Sequence, residues 1–294
     1  MSNSREDLRL VNIHDRDFQK YSVDNKIYCI PVDEREEERL NSQHDLLFRL
    51  CGNRLFYPNI GNPSKILDCG YGRGEWAVAV AEEYEDCEVT GVDIYTDPLP
   101  DQPDNLTLFG YNLNDRLNHP EVFERNAYAM VHSRFVGAGI KATRWGSYIR
   151  DMKALVKPNG WAQMMEYYPN IQSDSGRLTD ASAVRTWYQT YASAMERCNR
   201  NPRIGSRLQQ LMTDGGLRDV GGRTLHLPIG GWDSDPTRAN IGRASVEMIG
   251  ELLDSLSIWP FTEKLGWTSA QVLALTSAAR AELEDPTLKL YIPV

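Results

Sequence analysis

Residues Lys65–Trp76 read KILDCGYGRGEW, a short apolar run, an acid at Asp68 and glycines at positions 70, 72 and 74. The apolar run is a buried strand and the glycines form the turn leading into a helix from Glu75. A phosphate-binding Walker loop is excluded, because no lysine follows the glycines. A dinucleotide fingerprint needs GxGxxG, whereas the third glycine here falls one position early. A second acid, Asp93, ends the next strand 19 residues after Gly74, where a carboxylate can take both hydroxyls of a ribose. Asp68 beside the loop disfavours a pyrophosphate, which wants helix N–H groups free of acids. It suits a ligand that carries a positive group.

Outward from this stretch, strands and helices alternate. CEVTGVDI (87–94), LTLFGY (106–111), YAMVHS (128–133) and WAQMMEY (161–167) read as further strands, with helices over 75–85 and 145–156. Such alternation means right-handed crossovers and a parallel sheet, hence a doubly wound α/β fold. Beyond residue 180 the chain turns helical, over 181–199, 205–215, 240–256 and 269–283. Two late strands, near 219–228 and in LKLYIPV at 288–294, are expected to complete a seven-stranded sheet. The helices around them are then lid insertions, at about 180–215 and 238–284, on a domain spanning 61–294. Residues 1–60 make an N-terminal arm and cap. Within it, residues 1–30 are expected to be loosely packed, and 34–51 an amphipathic helix ending at Gly52-Asn53, its acidic start solvated.

Composition narrows the function. Hydrophobic residues make up 41% and charged residues 25% of the 294 positions, values of a globular protein. A formal charge of -9 without a basic stripe argues against nucleic acid as partner. The five cysteines are odd in number and lack metal-ligand spacing, so no metal is expected and the chain reads as reduced. No signal-peptide-like or membrane-spanning run is visible. A cytoplasmic or nuclear protein is the expectation.

The sequence resembles class I S-adenosylmethionine-dependent methyltransferases, and more closely their LaeA-like fungal secondary-metabolism branch. The resemblance runs over residues 28–294. It rests on Tyr28, Pro31, Asp33, Glu34, Glu36 and Arg39 ahead of the first long helix, Gln43-His44 within it, Asn62 to Trp76, His132-Ser133-Arg134-Phe135, the LVKPNGW turn, and Trp267 and Tyr291 near the end. It implies S-adenosylmethionine as cofactor, with Asp68, Gly70, Gly72 and Gly74 at its methionine portion and Asp93 at its ribose. Ile94, Tyr111, Asn112 and Leu113 would border the adenine, and His44 and His132 would face the cofactor from the cap and the fourth strand. His132 is the candidate base, because the imidazole pKa lies near neutrality, and Tyr168 a candidate to orient an acceptor. Arg134 reads as a buried, domain-tying charge. The chain departs from the family pattern with Tyr111 and Asn112 where acids are usual, and with Arg73 in the glycine loop. The implied partner is a small-molecule substrate, and a homodimer or a regulatory protein partner is compatible with the family. Non-methylating chemistry on the same cofactor, or a regulatory role, are the alternatives.

Overall fold

The computed structural model describes residues 8–99 and 101–294. The chain starts with a hairpin, β1 (Leu10–Ile13) and β2 (Arg16–Gln19), then a short helix α1 (Lys20–Asp24) and the cap helix α2 (Glu34–Leu50). The α/β unit follows: β3 (Lys65–Cys69), α3 (Glu75–Glu83), β4 (Glu88–Asp93), β5 (Leu106–Gly110), β6 (Tyr128–Arg134), α4 (Trp145–Leu155) and β7 (Val156–Met165). Its five strands are all parallel, in the order β5-β4-β3-β6-β7. The order reverses between β3 and β6. In open α/β sheets that reversal opens a crevice at the strands' carboxyl ends, where ligands sit, and the glycine loop leaves β3 at that end.

The sheet holds five strands rather than the expected seven. After β8 (Gln172–Ser173), α5 (Ala183–Arg197) and α6 (Leu208–Asp214) come β9 (His226–Ile229), α7 (Pro236–Leu265), α8 (Ser269–Leu283) and β10 (Leu290–Pro293). The two late strands do pair, antiparallel, from Leu290 opposite Ile229 to Pro293 opposite His226. The other edge of β10 is taken by β8, so β10 builds a separate three-stranded sheet instead of extending the large one. A backbone bond joins the two sheets just past β7, from the Tyr168 N–H to the Pro293 carbonyl at 2.9 Å.

Helices α5, α7 and α8 pack around this small sheet in a core of their own, with Trp187, Ile249 and Phe261 fully buried and Leu46 of α2 joining it. The Trp187 indole donates to Ser257 Oγ at 2.7 Å and the ring stacks on Tyr191, so Trp187, Tyr188 and Tyr191 are core. Helix α7 runs well beyond the expected 240–256. Asp235 caps it by accepting the Arg238 N–H, Pro236 sits in its first turn, and it ends at Gly266 with φ 73°. Pro260 lies inside without ending it.

The N-terminal segment is not loose. His14 and Asp15 adopt positive φ, the geometry of a two-residue hairpin turn, and Phe18 behind them is fully buried. The Arg16 guanidinium grips Asp33 at 2.6 and 2.8 Å, while Asp33 caps α2 by accepting the Glu36 N–H. Further along, Arg200 donates to the Lys26, Ile27 and Ala138 carbonyls. The acidic start of α2 is a set of ties rather than a solvated face. Glu36 is 2% exposed and binds Arg39 and Ser255, and Arg35 pairs with Glu251 and Asp254 on α7.

Candidate functional site

Above the carboxyl ends of β3–β6 lies a cleft of about 1030 Å³, its open mouth included. Its floor is Gly70–Arg73, Asp93–Tyr95 and Tyr111–Asn114, and the loop Phe135–Ile140 forms a further wall. Its roof is the N-terminal segment from Ile27 to Gln43. No lining residue comes from α5, α6, α7 or α8. The roof is therefore the cap, and the late helices support it from behind.

The glycines divide in role. Gly70, Gly72 and Gly74 all have positive φ, 85°, 61° and 90°, which favours glycine at each. A Cβ on Gly70 would lie 2.4 Å from Val136 Cγ1, whereas one on Gly72 would meet nothing within 4 Å. Gly70 and Gly72 line the cleft. Gly74 does not; it seats Leu99 and starts α3.

Asp93 ends β4 with one carboxylate oxygen accepting the Gly72 N–H at 2.9 Å and the other the Tyr95 N–H at 3.0 Å. Each oxygen keeps a lone pair for a ligand hydroxyl. Burial pushes this carboxyl up to about 6, against the pull of those N–H groups. Ile94, Tyr111, Asn112 and Leu113 also line the cleft. Tyr111 is pinned edge-on to Phe123, its hydroxyl on the Arg116 carbonyl. Asn112 Oδ1 accepts from Asn114 N and Nδ2 at 3.0 and 3.1 Å, which leaves its amide N–H groups as donors to a ligand.

Asp68 and His132 do not line the cleft. Both are 1% exposed; Asp68 Oδ1 lies 2.9 Å from His132 Nδ1, and the imidazole stacks on Trp76 with centroids 3.6 Å apart. Desolvation lowers the His132 pKa although Asp68 pulls it up. A neutral imidazole donating from Nδ1 to the carboxylate fits this geometry. His132, the expected base, thus links β6 to β3 through Asp68 and is buried outside the lining of the cleft. Tyr168 is equally remote. Its ring meets Tyr188 edge-on, its hydroxyl accepts from Asn170 at 3.2 Å, and it lines a separate groove beside β7.

His44 stands just outside the cleft, where its Nδ1 accepts from Arg134 Nη2 at 3.0 Å. Burial and the Arg134 charge push its pKa down to about 4. Arg134 itself lines the cleft, as does Arg73, which bridges Glu37 of α2 at 2.9 Å and Asp97 at 2.8 Å. Many liners lay outside the sequence-derived site, Tyr95, Asn114, Gly139 and Ile140 among them. They stand in loops, whose chemistry no periodicity reveals. The roof residues Tyr28, Asp33, Glu36 and Gln43 were visible as motif positions without an assigned role. Among the described residues no cluster of side chains suits a metal ion, and no helix is long and apolar enough to cross a membrane.

Comparison with known proteins agrees with this arrangement. The family described as Methyltransferase domain matches residues 42–220, more than half of the chain. Similar proteins include the secondary metabolism regulator laeA of Aspergillus fumigatus, 25% identical over 274 residues, covering 90% of this chain and 70% of that one. Methyltransferase pytC of Aspergillus terreus is 26% identical over 270 residues, covering 92% and 81%. Among solved structures, phosphoethanolamine N-methyltransferase 2 of Haemonchus contortus with S-adenosyl-L-methionine gives a TM-score of 0.45 at 18% identity, covering 86% of this chain and 50% of that one. A geranyl diphosphate methyltransferase with the same ligand gives 0.45 at 15%, covering 91% and 94%. With a GxGxG loop and a buried strand-end acid at the carboxyl ends of a doubly wound sheet, and with the family match spanning that unit, the chain belongs to the methyltransferase-domain family, as an S-adenosylmethionine-dependent enzyme similar to the laeA and pytC proteins.

Proposed function

We propose that the chain transfers a methyl group from S-adenosylmethionine to an oxygen or nitrogen of a small-molecule natural-product intermediate. The observation that carries this reading is the Gly72–Asp93–Tyr95 arrangement, a carboxylate anchored by two backbone N–H groups with its outward lone pairs facing the cleft. The residues fit the cofactor. Asp93 suits a ribose diol, Gly72 leaves open space where a side chain would stand, and Ile94 with Tyr111–Leu113 offers an apolar slot with amide donors for adenine.

A sulfonium donor supplies an activated methyl group, so the protein's task is placement. Holding an acceptor about 3–3.5 Å from that carbon, in line and away from water, accounts for most of such an acceleration. The roof from Ile27 to Gln43 and the loop Phe135–Ile140 enclose that space. His132 keeps β3 and β6 in register below it. In this reading His132 is a positioning residue, and neither it nor Tyr168 reaches the acceptor's proton. The five unpaired cysteines accord with a reducing compartment, cytosol or nucleus.

Calorimetry tests the cofactor. S-adenosylmethionine should bind at micromolar concentration, with binding lost in Asp93→Ala; a folded sample that binds none ends the reading. Extracts incubated with a methyl-labelled donor test the acceptor, the expected outcome being a labelled small molecule and S-adenosylhomocysteine. The relatives named as regulators motivate a second reading, that of a regulatory subunit. Label appearing on protein alone, or stoichiometric co-purifying proteins with no turnover of metabolites, would favour it. A rearranged product without a gained methyl would point to non-methylating use of the cofactor.

A further inference from the structure

A second pocket shares the Ile27 wall with the cleft. It measures about 980 Å³, its open mouth included, the size of a small-molecule site. Four stretches distant in sequence meet there: residues 25–30 after α1, the loop at Ala138 and Lys141, the end of α5, and the second half of α7. Its apolar bed comes from Ile27, Ile30, Met195, Leu256, Trp259 and Pro260. Five further lining residues are basic, Lys26, Lys141, Arg197, Arg200 and Lys264, and none is acidic, although the chain as a whole carries a formal charge of -9.

Arg200 is spent on the fold. Besides the Lys26, Ile27 and Ala138 carbonyls, its guanidinium donates to those of Cys198 and Asn199 past the end of α5, and so masks the partial negative charge that a helix C-terminus would turn toward a ligand. Arg197 gives one nitrogen to the Lys264 carbonyl at 2.9 Å, and the Lys264 ammonium lies over Trp259, 4.8 Å from the ring centroid. The Lys26 and Lys141 ammonium groups have no hydrogen-bond or ion-pair partner among the described residues. Cys29 and Cys198 also line the pocket, and burial raises both thiols, Cys29 up to about 12, so they add no negative charge near neutrality. Positive charge over an apolar bed, with no counter-ion in the lining, calls for one from outside. We propose that this pocket binds an amphipathic anion, a small molecule whose carboxylate meets Lys26, Lys141 and Arg197 while its apolar body packs on Ile30, Met195 and Leu256. A compact inorganic anion would leave the bed empty, and a neutral apolar molecule would leave the ammonium groups unpaired. The site is distinct from the Asp93 cleft, so the inference stands or falls without the proposed methyl transfer.

The test is calorimetry on the full chain with octanoate, its uncharged counterpart 1-octanol, and inorganic phosphate. Octanoate should bind one to one, and 1-octanol and phosphate each about tenfold more weakly or worse. Lys26→Gln and Lys141→Gln, both at exposed positions, should each weaken octanoate about threefold and together about tenfold, the range of partly exposed ion pairs. Lys289→Gln, an exposed charge outside the pocket, should leave it unchanged. Asp93→Ala, which disables the cleft, should bind octanoate as wild type does, with folding of every variant checked by thermal melting. The inference is overturned by 1-octanol binding as tightly as octanoate, by lysine variants that bind as wild type, or by octanoate binding lost in Asp93→Ala. Folded wild type that binds no octanoate overturns it too, whatever the result with S-adenosylmethionine.

Discussion

At the residue scale, the carboxyl of Asp93 carries a pH signature. Burial raises it to about 6, and only the carboxylate can accept from both ribose hydroxyls. Affinity for 5′-methylthioadenosine should therefore be full above pH 7 and fall as pH drops through about 6; the profile should flatten in Asp93→Asn, and an equally steep profile in that variant would refute the assignment. Beneath it, His132 and Asp68 form a buried pair, and removing one partner of such a pair costs about 3–5 kcal/mol. His132→Leu should show a loss of that order in denaturant unfolding. His132→Asn, which can still donate to Asp68, should lose markedly less. The sequence made the identity of these residues legible and left their orientation hidden. Asp68 and Asp93 look alike in a strand-end pattern, yet one is paired with His132 away from the cleft and the other lines it.

At the element scale, Glu166 just past β7 holds the loop that walls the cleft, its Oε1 accepting the Val136 N–H at 2.8 Å. Burial pushes this carboxyl up to about 8, so the folded chain keeps a proton there that the unfolded chain releases near 4.5. The folded state binds more protons across that window, and its stability must fall as pH rises from about 4.5 to 8. Glu166→Gln, titration-free, should gain on wild type in melting temperature between pH 5 and 8; parallel curves would show that the group does not titrate so. The parallel unit was readable because strand runs, glycine turns and helical spacing agree there. The late strands were found as strands and placed in the wrong sheet. Their pairing partner β8 is two residues long, Gln172–Ser173, too short to leave any periodic signal, and it decides which edge β10 uses. The N-terminal hairpin went unread for a related reason. Its strands are four residues each, and its turn uses His14 and Asp15 at positive φ rather than the usual glycine.

At the scale of the whole molecule, the late helices form a buttress. They support the cleft chiefly through α2, which is fixed to α7 by Arg35 with Glu251 and Asp254 and by Glu36 with Ser255. Opposite those ties, Arg73 reaches up from the glycine loop to Glu37 and sideways to Asp97. The roof is fastened to its buttress on one side and to the floor on the other, and the floor fastening is ionic and partly open to solvent. If a spent cofactor leaves between roof and floor at that fastening, its departure is salt-sensitive while the chemistry beneath it is not. Stopped-flow chase of labelled S-adenosylhomocysteine should show faster release at higher ionic strength, and in Arg73→Ala a faster rate that salt no longer changes.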